Sequence, residues 1–455
     1  MKCINVFDDF VLSRTDNTRR VFKQPEWLFD KAFTDPDNIR AVNTTAVVKA
    51  PCGGYMMTYR GVPDLAQAWS DENLSAFLAH SDDGISFQPY KVNPSAEYPH
   101  LLGKCSEEIG VHPYLDERET DPGLRYKSPF MREGKNVNEP MIMLGSPDLV
   151  HWQRVSDAPL TTSTVDCYPN LIYNPVTGRY QVTTRRRHGE RRICLTESAD
   201  FQSWSEPRCI IHPLPTDEPT THLYSMPHMY YEPGDIFIGM NWIQVMPFDR
   251  IMDGPVYTEY AYSYDGLTWN RTGARVFPEL PREHYGAGMN LVSAMLDRGD
   301  DVVFYCNAYV CEHNGIPGGW KEGMPPMCVT IPGVLKKNRF VCIDSGKGKG
   351  ELMSQWLRLK KPELTLNAVI PFGSLRCELS AGDEPVPGFS FDDFEPIGGD
   401  STEFMLRWKG GNLADLVESG KWFKLHIEMT DSEVYAVNGD FDFTVFKRAW
   451  MYDRL

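Results

Sequence analysis

Four short stretches of this chain repeat one another: "SDDGISF" at 81–87, "SPDLVHW" at 146–152, "SADFQSW" at 198–204 and "SYDGLTW" at 263–269. Each reads Ser, any residue, Asp, a small or apolar residue, two more, then Phe or Trp. Such a repeat constrains the fold strongly, because each copy belongs to a supersecondary unit that needs its neighbours to bury its apolar face. Ser and Asp side chains cap the backbone of a tight turn, and the residue after Asp lets the chain reverse. The aromatic then re-enters a strand and packs on its neighbour. A strand-like run lies upstream of every copy ("LSAFLAH", "PMIMLG", "RRICLTE", "TEYAYSY"). The motif is therefore expected at the hairpin between the two outer strands of a small sheet.

Another hairpin pattern precedes each copy, at 45–61, 111–131, 170–184 and 228–242. A fifth, at 291–309, has no motif after it. Their turns carry Gly, Pro, Asn or Asp between β-rich runs. Five inner hairpins and four motifs give five four-stranded units, which predicts an all-β chain with a five-bladed β-propeller. The copies lie 65, 52 and 65 residues apart, so the connecting loops are long. The early run "INVFDDFVLS" is expected to close the ring by joining the last blade.

From about Lys337 the pattern changes. Leu375, Cys377 and Leu379 alternate with Ser374, Arg376 and Glu378, and Phe423, Leu425, Ile427 and Met429 with Lys424, His426 and Glu428. Period-two alternation with Gly/Pro turns predicts a C-terminal β-sandwich. The expected division is 1–336, the propeller with the catalytic site, and 337–455, the sandwich.

Composition narrows the partners. The chain has 455 residues and a formal charge of -16, with no basic excess to neutralise phosphates, so nucleic acid is not expected as a partner. No run approaches the length of a membrane helix, and no membrane partner is expected. The 11 Cys are an odd number without CxxC spacing, which argues against a disulfide framework or a zinc site. Free thiols and an N-terminus unlike a secretory signal lead to the expectation of a cytoplasmic protein. Oligomeric state is left open, a homo-oligomer included.

The stretch "GSPDLVHW" resembles the S-x-D-L-x-x-W element of the five-bladed propeller glycosidases, glycoside hydrolase families 32 and 43. The two-part layout resembles family 32. The tail segments "RFVCIDSGKGKGELMSQWLRL", "GDSTEFMLRWKGG" and "WFKLHIEMTDSEVYAV" are similar to the C-terminal sandwich of family-32-like proteins, and "FDDFVLSRTDNTRRVFKQPEW" to their start. This resemblance implies carboxylates at the starts of the innermost strands, facing a central funnel. Glycoside hydrolysis needs two: one protonates the leaving oxygen, the other attacks or activates water.

The strand starts offer these candidates. Where the resembled families have an Asp, the first blade has Asn43 and Thr44. The second offers Glu108 and His112, with Asp116 further along. The third, "STVDCYPN", offers Asp166, near the position of the family's general acid. The fourth offers His222 and His228, and the fifth Glu283 and His284. Asp166, Glu108 and Glu283 are the candidate catalytic residues. Each has a plainer reading, as a turn cap or a solvated surface acid. Asn43, His112, His222, His228 and His284 are candidate substrate contacts. The histidine spacing matches no metal motif, and no metal or organic cofactor is expected.

Arg60, in "MMTYRG", resembles an arginine of the family-32-like proteins, and its fork of donors suits a carboxylate or sugar hydroxyl. In "RRRHGERR" alternation puts Arg185 and Arg187 on one face, where they bind an anion if they point into the funnel. Trp242 and Tyr168 are candidate sugar platforms. The leading expectation is a glycosidase acting on a small oligosaccharide or glycoside by carboxylate acid/base chemistry. The alternatives are a phosphorylase resembling family 130 and a non-catalytic carbohydrate-binding protein.

Overall fold

The computed structural model describes residues 3–37, 39, 41–63, 73–131, 140–161, 165–186, 191–249, 253–313, 326–382 and 384–445, except the side chains of 165–167 and 186. Among the described residues it is all-β apart from one short helix, Leu413–Ser419, and three 3-10 turns. Among the described residues no helix is long and apolar enough to cross a membrane. The chain forms two compact units. The larger comprises 24–230 and 236–335, the smaller 1–23, 231–235 and 336–455.

The larger unit holds five sets of antiparallel strands. Set I runs Asn43–Lys49, Tyr55–Gly61, Ser75–Ser81, Gln88–Pro89, with Leu101–Lys104 also on the third strand. Set II runs Tyr114–Leu115, Tyr126–Phe130, Ile142–Ser146, Gln153–Ser156. Set III runs Val165–Asn174, Arg179–Arg186, Ile193–Ser198, Arg208–Ile211. Set IV runs Thr221–Ser225, Ile236–Val245, Val256–Ser263, Asn270–Arg275, with His228–Tyr231 beside its second strand. Set V runs Met289–Asp297, Asp301–Tyr309, Cys328–Lys336, Glu26–Trp27, and touches set IV through one parallel pairing, Val256 with Met289.

The repeated motif sits where its chemistry predicts, between the third and fourth strands of sets I to IV. In all four copies the Ser hydroxyl accepts the amide three residues on at 2.9 Å. The Asp carboxylate accepts the next two free amides at 2.7–3.0 Å. The residue after Asp is left-handed each time, at Gly84, Leu149, Phe201 and Gly266, with φ of 60–73°. Leu and Phe take this unfavourable conformation because the two capping side chains fix the turn. Partial burial works to raise the carboxyls of Asp83, Asp148 and Asp265. The amide donors outweigh it and hold all three below the ordinary value.

The sets are tied by buried polar groups as well as apolar contact. Lys127 is wholly buried, its ammonium 2.8 Å from both Asp116 and Glu119. Asp116 also accepts the Tyr180 hydroxyl of set III at 2.7 Å. This assigns Asp116 a packing role between sets II and III.

The smaller unit contains two antiparallel sheets. One orders Leu12–Asp16, Lys349–Ser354, Lys424–Thr430, Ser374–Ala381, Glu384–Pro385. The other orders Arg19–Phe22, Val341–Asp344, Glu433–Thr444, Trp356–Ile370, Gly399–Met405, with Cys3–Asn5 against Glu433–Thr444. The alternation read from sequence is reproduced: Leu375, Cys377, Leu379, Phe423, Leu425, Ile427 and Met429 are all buried.

The N-terminal run does not close set V. Cys3–Asn5 and Leu12–Asp16 pair with strands of the smaller unit, so the first 23 residues group with 336–455 rather than with the domain expected for them. The fourth strand of set V is Glu26–Trp27, paired with Val334 and Gly333. Local packing explains the choice. Cys3, Ile4 and Val6 are buried at 1–2 % exposure and need a covered sheet. Gly333 leaves room for the Trp27 ring, which would lie 2.6 Å from any side chain there.

Removing one partner of a buried ion pair strands the others. Lys127→Ala should cost roughly 3–5 kcal/mol, read as a lower urea midpoint with an unchanged slope. A loss under about 1 kcal/mol would show that Asp116 and Glu119 are solvated instead.

Candidate functional site

The innermost strands of sets I, III, IV and V share one irregularity. Their pairing slips between Thr44 and Ala46, Asp166 and Asn170, Leu223 and Ser225, and Val292 and Ala294. Such bulges leave residues out of the ladder and re-aim their side chains. Here Thr45, Tyr168, Tyr224 and Ser293 fall in the slipped positions. Tyr168 has φ of 27°, outside the region a tyrosine prefers.

All five sets line a cavity of about 280 Å³, through Thr45–Val48, Pro113 and Tyr114, Asn170–Tyr173, Pro227–Tyr230 and Ser293–Met295. A smaller hollow of about 20 Å³ adds His112, Tyr168 and Pro169. It is large enough for one water. The Ser293 hydroxyl and the His228 Nε2 are buried without a hydrogen-bond partner among the described residues, and both residues line the larger cavity.

Towards the strand starts the side chains form one network. Asn43 Oδ1 accepts from the Tyr168 hydroxyl and, at 3.0 Å, from Asn307 Nδ2. Its Nδ2 donates to the Tyr309 hydroxyl at 2.6 Å. The Tyr168 ring meets the Arg60 guanidinium at 4.8 Å, the His112 ring at 5.2 Å and the Trp242 edge at 4.7 Å. Tyr224 stacks on Trp242 at 6.2 Å, and its hydroxyl is 3.0 Å from His313 Nε2. The Arg185 and Arg191 guanidinium groups lie 4.6 and 5.1 Å from the Tyr224 ring. Arg191 also bonds Gln244, and its amide donates to His222 Nδ1 at 3.3 Å.

The imidazoles here are held neutral. Burial, with the Arg60 charge beside it, pushes His112 well below the ordinary 6.5. Burial, then Arg191 and Arg185, pushes His222 down as well. The result is an aromatic cluster flanked by three guanidinium groups and neutral imidazoles. Groups of these types have the chemistry to donate hydrogen bonds to hydroxyls or an anion and to pack on apolar ring faces.

Asn43, His112, Arg60, Arg185 and His222 are therefore brought together. Asp166 lies on the same strand as Tyr168, opposite Arg185 in the pairing register; its side chain is outside the described residues, and so is Arg187. Glu108 is not in this network. It holds Arg154 through Nε at 3.0 and 3.2 Å and through Nη2, and Arg154 belongs to the outermost strand of set II. Such a pair favours the ionised carboxylate, the wrong state for a proton donor. Glu283 and His284 are exposed in the turn before Met289–Asp297, and no described contact brings them into the network.

Trp242 is fully buried and donates Nε1–H to the Val292 carbonyl at 2.9 Å. It backs Tyr168 and Tyr224 and presents no free ring face. His228 lies between sets III and IV, its amide on Asn170 Oδ1 at 3.0 Å and its ring edge-on to Trp269. Sequence reasoning missed Arg191, Tyr224, Asn307, Tyr309 and His313. Only Arg191 carried a signal, as the last but one arginine of "RRRHGERR".

No family model and no curated protein matches the chain. Solved structures do. A glycosyl hydrolase from Bacteroides ovatus is 15% identical, covering 74% of this chain and 97% of its own, with a TM-score of 0.44. An N-acetylgalactosamine deacetylase from F. plautii, solved with blood group B trisaccharide, is 12% identical, covering 71% and 96%, with a TM-score of 0.44. A thermostable family-43 glycoside hydrolase is 10% identical, covering 67% and 92%, with a TM-score of 0.43.

Burial pushes His228 down to about 4. Its folded value is below its unfolded one, so between the two values the unfolded chain holds a proton there that the folded chain does not. Stability should fall as pH drops from 6.5 to about 4 and level off below that. The contribution is about 3 kcal/mol. In thermal melts across this window His228→Gln should show a shallower pH dependence than the native chain. An identical slope would contradict the assignment.

Proposed function

We propose that the protein is a carbohydrate-active enzyme that cleaves a glycosidic bond at the strand-start end of a five-bladed β-propeller, the smaller unit being a β-sandwich. One observation carries this reading. The inner strands of five antiparallel sets line one cavity, and the small hollow beside it is lined by His112 and Tyr168, whose ring and hydroxyl meet Arg60 and Asn43. Aromatic faces and hydrogen-bond donors in a concave site suit a sugar.

In this reading Asp166 is the proton donor. It protonates the glycosidic oxygen as the bond to the anomeric carbon breaks, and an incoming oxygen takes the carbon. Hydrolysis requires a second carboxylate to activate water or attack. Glu108 and Glu283 do not offer one at the network.

A specific observation favours a second reading, phosphorolysis. Arg185 and Arg191 flank one tyrosine ring beside His222, and Arg60 flanks the neighbouring tyrosine. Inorganic phosphate is its own nucleophile and needs cationic donors in place of the second carboxylate. Neither reading calls for an organic cofactor.

The test is turnover of a panel of oligosaccharides and aryl glycosides, with and without inorganic phosphate. Cleavage should be lost by about 10²–10⁴-fold in Asp166→Asn and unchanged in Glu108→Gln. Cleavage without phosphate establishes the hydrolase, and cleavage only with it the phosphorylase. Sugar binding without turnover of any substrate would make this a binding protein and refute the enzyme.

A further inference from the structure

Away from the cavity, at the outer edge of set III, two cysteines face each other. Cys194 on Ile193–Ser198 is paired in register with Cys209 on Arg208–Ile211, and their sulfurs are 3.4 Å apart. Arg208–Ile211 is the edge strand of its sheet. Cys209 is exposed and Cys194 is buried beneath it. The pairing slips between Ile193 and Cys194, so Ile210 is left out of the ladder beside Cys209.

Six of the other described thiols have a different setting. Cys3, Cys306, Cys328, Cys342 and Cys377 are buried. Burial pushes each of them up, and among the described hydrogen bonds none of them meets an exposed second sulfur through which an oxidant could enter. Cys52 is exposed, but its sulfur contacts only the neighbouring Gly53 carbonyl among the described hydrogen bonds. Cys209 combines solvent access with a second sulfur within reach.

We propose that Cys194 and Cys209 are a redox site that forms a reversible cross-strand disulfide. Register-paired residues of antiparallel strands have Cα separations of about 4.5–5.5 Å, inside the range of about 4.4–6.8 Å that a disulfide spans. The sulfurs must approach by about 1.4 Å to reach the bond length of about 2.05 Å. The oxidant is a small-molecule disulfide such as glutathione disulfide. The Cys209 thiolate attacks one of its sulfurs, breaking that S–S bond and releasing one glutathione thiolate. The Cys194 thiolate then attacks Cys209 Sγ and displaces the second glutathione. Both protons end on the two glutathione thiols, so two protein thiols are oxidised and one disulfide is reduced. The product ties the two ends of the outer hairpin that carries the Ser198–Asp200 turn.

The experiment uses the full chain. Reduced protein is incubated with glutathione disulfide, denatured in excess N-ethylmaleimide and analysed by intact and peptide mass. The number of alkylated cysteines should fall by two from the 11 of the reduced chain. A peptide pair linking Cys194 and Cys209 should appear and vanish with dithiothreitol. The link should be absent in Cys209→Ser and retained in Cys52→Ser. Glutathione left on Cys209 with Cys194 still alkylated would overturn the proposal, as would full alkylation of both.

Discussion

The larger unit depends on one small device, a serine hydroxyl and an aspartate carboxylate that together cap three backbone amides of a reversing turn, and a fourth in three of the copies. Four copies do so with nearly identical distances. Each cap is local and modest, on the order of 1 kcal/mol by analogy with helix caps. Its importance is geometric. It sets the register between third and fourth strands, and a one-residue slip would turn each apolar face outward. Leu149 and Phe201 accept left-handed backbone to satisfy it.

The inner strands reverse this logic. The third–fourth strand pairings of sets II, III and IV also slip once, but their capped turns keep one geometry; the four innermost strands lose register near their starts, with no such cap beside the slip. The cost is a broken ladder at the centre of the unit. The return is that side chains such as Tyr168, Tyr224, Thr45 and Ser293 leave the sheet faces. Rigid outer turns and irregular inner strands are two halves of one arrangement, since a bulge holds its place only if the rest of the sheet cannot shift to absorb it.

The all-β character and the individual hairpins are legible in the sequence because their determinants are local. A Ser-x-Asp turn or an alternating strand such as 374–381 can be read from neighbours alone. The site is not, because its determinants are contacts across long separations. Nothing around Glu108 reveals Arg154, and nothing around Trp242 reveals the Val292 carbonyl that consumes its indole N–H. In the sequence Asn43 stands only as a departure from the aspartate of the resembled families. Its actual role, bridging Tyr168, Tyr309 and Asn307, depends on partners more than 100 residues away. The N-terminal strands failed for the same reason. Their apolar alternation fits any sheet, and only the packing of Trp27 on Gly333 shows which strand completes set V.

The central claim is that the end of the cavity around Tyr168 receives the ligand. The most direct measurement is a crystal structure of the protein soaked with inorganic phosphate and a set of monosaccharides. The account predicts a bound species against Tyr168 or Tyr224, within hydrogen-bond reach of Arg60, Arg185 or Asn43. A sugar or phosphate bound only on the sheets of the smaller unit would contradict it.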